Sequence, residues 1–171
     1  ILCFGMLIVA APYRLNRIAT YFKPNENELG ASYQINQSLI AIGSGGLIGL
    51  GFGKSKQKYQ YLPEVASDSI FAVIGEELGF ILTTIFVFAY VCFILTGLRI
   101  AARARDDFGK YLASGIVVWF GYQTFVNMGA MVKLLPLTGL PLPFVSYGGT
   151  ALMISMFAFG ILLNISRYEK I

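Results

Sequence analysis

Asp68 stands where a polar stretch gives way to a long apolar run. Glu64 precedes it, and Glu76 and Glu77 follow inside the run. A carboxylate at such a border can cap the helix that follows, act as a general base, or hold a divalent cation. Ionisable groups carried toward a bilayer are costly, so function is the default reading. Complementary cations lie in the polar segments: Arg14, Arg17, Lys54, Lys56, Lys58 and Lys133. An arginine pair suits a pyrophosphate through bidentate hydrogen bonding. Beside Tyr13, Tyr21 and Phe22, the same arginines also read as snorkelling cations in an interfacial aromatic belt.

Some chemistry is excluded. The 171 residues include no histidine, so this chain holds no His base, no His metal ligand and no Ser-His-Asp triad. Cys3 and Cys92 both sit in apolar runs and build neither a disulfide framework nor a zinc site. Gly53-Lys54-Ser55 resembles the end of a P-loop, but Ile48 occupies the position that needs the first glycine, and no strand precedes it.

The elements that position these residues are helices in a membrane. The chain is 56% hydrophobic and 13% charged, against about 45–50% and 25% in a soluble domain. Its net charge of +4 is dispersed, which argues against a nucleic-acid partner and fits anionic lipid. The expected fold class is all-α, a polytopic integral membrane helical bundle. Residues 1–11 fall short of the roughly 20 that a span needs. They read as the end of a truncated span, and the chain as the C-terminal part of a longer protein.

A large outer segment, 12–69, holds a short helix over 31–43 with Ser32 as candidate cap, then a glycine-rich run that suits a re-entrant or surface turn. Spans are expected at 70–100, 111–132 and 150–166. Glu76 and Glu77 are expected to pair with a cation on another helix, and Asn127 to hydrogen-bond between helices. Arg99, Arg103, Arg105 and Lys110 cluster in one short loop, which places that loop in the cytoplasm and Asp68 on the outer face. A second outer loop, 133–149, returns to the same face. There Lys133, Ser146 and Tyr147 are candidates to line a substrate groove, while Pro136, Pro141, Pro143 and Gly148-Gly149 stiffen and turn the chain.

The ordered motifs carry a resemblance. Tyr13-Arg14, Arg17-Ile18, Phe22-Lys23-Pro24, Tyr33-Gln34, Gln37-Ser38 and Ala41-Ile42-Gly43-Ser44-Gly45-Gly46 are followed by Ser55, Gln57-Lys58, Tyr61-Leu62-Pro63-Glu64, Asp68 and Glu76-Glu77-Leu78-Gly79. Residues 135–149 add a Leu-Pro-Leu-Thr-Gly-x-Pro-Leu-Pro-Phe-x-Ser-Tyr-Gly-Gly signature. Over nearly its whole length the chain resembles the SEDS family (shape, elongation, division and sporulation), polytopic peptidoglycan glycosyltransferases. It is closer to the division-type branch, FtsW, than to the elongation-type branch, RodA. One departure stands at the helix entrance: the family's His-Thr-Asp-Phe-Ile-Phe is here Ala66-Ser67-Asp68-Ser69-Ile70-Phe71. The aspartate is kept and the histidine is not.

The resemblance implies a lipid II polymerase of the bacterial cytoplasmic membrane, multi-pass, with its active site on the extracytoplasmic face. Asp68 is the implied catalytic acid. Arg14, Arg17, Lys58, Glu64, Lys133, Ser146 and Tyr147 are the expected substrate-binding residues. No cofactor is fixed by the sequence; a divalent cation held by Asp68 is the alternative to a base. The implied partners are lipid II (an undecaprenyl-pyrophosphate disaccharide-pentapeptide), a class B penicillin-binding protein and membrane lipids. A flippase for the same lipid and a non-catalytic scaffold for the penicillin-binding protein are the rival functions.

Overall fold

The computed structural model describes residues 31–55 and 68–168. Within them lie four helices and no strand: α1 (Ala31–Ser44), α2 (Ile70–Arg103), α3 (Asp107–Met131) and α4 (Gly149–Arg167). The all-α architecture is the expected one. The truncated span 1–11, Arg14, Arg17, Lys58 and Glu64 fall outside the described residues. Ser32, expected as a cap, lies within α1.

α2 and α4 are each long and apolar enough to cross a bilayer, with mean hydropathies of 2.5 and 1.7. α4's 19 residues reach roughly 28 Å at about 1.5 Å per residue, close to a hydrocarbon core of about 30 Å. α3 is long enough at 25 residues but more polar, because Gln123, Thr124 and Asn127 lie in it. All three are buried. Outward faces are apolar instead: Phe80, Ile85 and Phe88 on α2, Val118 and Phe125 on α3, and Met153 and Phe157 on α4 are exposed. Polar groups inside and a continuous apolar belt outside are what lipid as solvent demands. This is a membrane protein.

The helices pack through three clusters. At one end, Ile35 and Ala41 of α1 meet Phe71, Ala72 and Val73 of α2, Ala130 and Met131 of α3, and Leu137. In the middle, Phe120 joins Ile116 and Ala158, with Phe93 and Phe144 against them. At the far end, Ala101, Ala113, Val117 and Leu162 close the bundle. There α3 starts on Asp106, whose carboxylate accepts from Gly109 N at 2.9 Å. A first-turn anion of this kind both caps the helix and complements its dipole.

The expected span 70–100 is not one continuous helix. At Gly79 the backbone turns to φ 73°, ψ −179°, which divides α2 into a short segment ahead of it and a long one behind. Such a break frees carbonyls on one side and N–H groups on the other, and each would cost about 1–3 kcal/mol if buried unpaired. The glycine-rich run after α1 takes them up. Leu50 N and Gly51 N donate to the carbonyls of Glu76 and Glu77, both at 3.0 Å. Phe80 N and Ile81 N donate to the carbonyls of Gly46 and Leu47 at 2.9 and 3.2 Å. The glycines are therefore a backbone-to-backbone splice, a stricter role than a flexible turn.

Candidate active site at the mouth of the bundle

Asp68 sits just ahead of α2 and is half-buried. The helix's N-cap is Ser69, whose hydroxyl makes no cap bond. Ser69 is instead buried and accepts from Gln34 Nε2 of α1 at 2.9 Å. The Asp68 backbone is held from α3: Asn127 Nδ2 donates to the Asp68 carbonyl at 3.0 Å and to the Leu140 carbonyl at 2.7 Å. One amide therefore ties the Asp68 turn to the second loop and puts both at the same end of the bundle.

That loop does not stay at the surface. From Leu140 the chain runs down alongside α3. Gln123 Nε2 donates to the Pro141 carbonyl at 2.8 Å, and Tyr90 Oη donates to the Pro143 carbonyl at 2.5 Å. Phe144 then packs its ring against Phe93, Phe120 and Phe159, with centroids 5.2–5.9 Å apart. Its φ of 64° is a left-handed value that a bulky side chain adopts only under constraint. The three prolines supply carbonyls but no N–H, so donors must come from side chains. This accounts for Gln123 and Asn127 inside α3 and for Tyr90 on α2.

Lys133 closes α3 at φ 60° and is exposed. Lys133 N donates to the Ala130 carbonyl and Leu134 N to the Gly129 carbonyl, a Schellman cap with lysine where glycine is usual. Ser146 is buried. Its hydroxyl accepts from Leu142 N at 2.7 Å while its own N donates to the Leu142 carbonyl at 3.0 Å, so the hydroxyl serves the loop's own fold. Tyr147 next to it is 83% exposed. Of the expected site residues, the structure brings Asp68 and the loop beginning at Lys133 to one end, and it sets Ser146 on the limb that descends into the bundle.

Glu76 and Glu77 are 1% and 7% exposed. Glu76 accepts from Ser55 Oγ at 2.5 Å, which pins the end of the glycine run to α2. Glu77 Oε1 is buried with no hydrogen-bond partner among the described residues. Among the described residues no three His, Cys, Asp or Glu side chains gather.

In the sequence Asn127 reads as a helix–helix amide, and Gln123 and Tyr90 carry no expected role. A signal was present: an amide pair spaced i, i+4 on one face of an apolar helix, followed by a proline-rich loop short of donors.

An interrupted span, a glycine splice that satisfies its backbone and a loop that descends between helices define a polytopic helical membrane domain. The chain belongs to the FtsW/RodA/SpoVE cell cycle protein family, which matches residues 1–171. It is 46% identical over 98% of its length to stage V sporulation protein E of Bacillus subtilis. It is 48% identical over 96% of its length to a probable peptidoglycan glycosyltransferase FtsW of Geobacter metallireducens. It spans about half the length of these relatives, 46% and 44%. Its fold matches a chain of a peptidoglycan synthase complex with a TM-score of 0.69 at 22% identity, covering 97% of this chain and 48% of that one.

Proposed function

We propose that the protein polymerises lipid II into glycan strands during division or sporulation-type wall synthesis. The observation that carries this is identity of 46–48% across nearly the whole chain to relatives named for these roles. Asp68 helps remove the proton from the acceptor sugar's 4-hydroxyl as that oxygen bonds to the donor's anomeric carbon. The bond from that carbon to the pyrophosphate breaks, and undecaprenyl pyrophosphate leaves. Arg14, Arg17, Lys58 and Lys133 neutralise the leaving group, an effect that is largest where water is excluded.

Arg99, Arg103, Arg105 and Lys110 lie around the turn opposite Asp68. The positive-inside rule makes that end cytoplasmic and the Asp68 end extracytoplasmic in the bacterial cytoplasmic membrane. A class B penicillin-binding protein is the partner that would cross-link the product. The test is strand synthesis from purified lipid II by the full-length protein with that partner. Polymer is expected; lipid crossing the bilayer without polymer would make the protein a flippase.

A further inference from the structure

We propose that Asn127 is a positioning residue for Asp68, an inference that rests on the polymerase reading above. A single nitrogen uses its two hydrogens on backbone carbonyls from separate segments, Asp68 at 3.0 Å and Leu140 at 2.7 Å. The helical hydrogen bonds of α2 begin at Ser69, whose carbonyl accepts from Ala72 N and Val73 N. Asp68 lies outside that ladder, so helix geometry alone does not fix its backbone. Asn127 does, from the neighbouring helix, and it simultaneously fixes how far the second loop stands from the carboxylate.

Asn127 is 2% exposed and its Oδ1 has no hydrogen-bond partner among the described residues. The unpaired oxygen costs stability, which the two bonds from Nδ2 to the Asp68 and Leu140 carbonyls offset. What only an amide supplies is the link between the two carbonyls. Gln123 and Tyr90 hold the same loop lower down, at the Pro141 and Pro143 carbonyls.

The experiment measures lipid II polymerisation by full-length protein with its partner, comparing wild type, Asn127→Ala, Asn127→Asp and Asp106→Ala. Asn127→Asp keeps the shape and has at most one donor, the O–H of its neutral form, so it does not link both carbonyls, and it serves alone if Asn127→Ala is not recovered folded. Asp106→Ala removes the cap at the far end of α3 and stands for destabilisation of the same helix away from the site. A misplacement of about 1 Å costs on the order of 100-fold in rate. The expected result is a fall of that order in kcat for the Asn127 variants, with KM little changed. Asp106→Ala should lower the melting temperature and keep kcat. Wild-type kcat in either Asn127 variant, or an equal loss in Asp106→Ala at an equal melting shift, would overturn the positioning role. An inactive wild type would instead overturn the polymerase reading, and the positioning role with it.

Discussion

Gly49 and Gly79 meet backbone to backbone. A Cβ on Gly79 would lie 2.2 Å from Gly49 N, and one on Gly49 would lie 2.6 Å from Gly79 N. Both residues have left-handed φ, 87° and 73°. The interruption of α2 and the path of the glycine run are therefore one feature, since neither closes without the other.

Gly79→Ala should be strongly destabilising. The left-handed backbone costs a non-glycine residue about 1–2 kcal/mol, and the clash is with backbone that cannot rotate away. A combined loss of about 3 kcal/mol or more is expected. Thermal unfolding of the full-length protein in detergent checks this, and a melt like the wild type's would show that the splice adapts.

Ser55→Ala should release the end of the same run. The serine hydroxyl donates to a Glu76 carboxylate that is 1% exposed. Removing a donor from a buried polar group costs about 1–3 kcal/mol. Ser55→Thr should restore most of it. Faster proteolysis or hydrogen exchange confined to residues 43–55 is the local signature, and unchanged protection there would contradict the latch.

Tyr90→Phe should loosen the other loop while sparing this one. The ring keeps its edge-on contact with Phe86, 5.2 Å between centroids, and loses only the bond to the Pro143 carbonyl. Destabilisation of about 1–2 kcal/mol is expected, with exchange rising in residues 138–148. A rise in residues 43–55 of equal size would mean that the two loops are not separately anchored.

Much of this was legible in the sequence, and what was missed has a common cause. Apolar runs, the cation cluster from Arg99 to Lys110 and the border at Asp68 are local signals, so the helices and their ends fall within a few residues of expectation. The break at Gly79 was not foreseen, because glycine is common in membrane helices and nothing adjacent announces a partner. That partner is the run from Gly46 to Gly51, contacted only after folding. Asn127 likewise looks like any helix–helix amide until the Asp68 and Leu140 carbonyls arrive beside it. Ser146 is a further case: the bond that its buried hydroxyl accepts from Leu142 N is announced by no local pattern.

Lys133→Gly should separate stability from turnover. Glycine relieves the left-handed lysine that closes α3, a gain of about 1 kcal/mol. It also removes the cation proposed to face the pyrophosphate. The expected outcome is a melting temperature at or above wild type with a KM for lipid II raised several-fold. An unchanged KM would remove Lys133 from the site.

The most direct test of the central claim is strand synthesis from lipid II by full-length protein carrying Asp68→Asn. The substitution keeps the size and the backbone carbonyl that Asn127 holds, and it removes only the ionisable group. Normal expression and partner binding with glycan polymer abolished is the predicted result. Undiminished polymer from the variant would contradict the assignment of Asp68 and move the chemistry to another carboxylate.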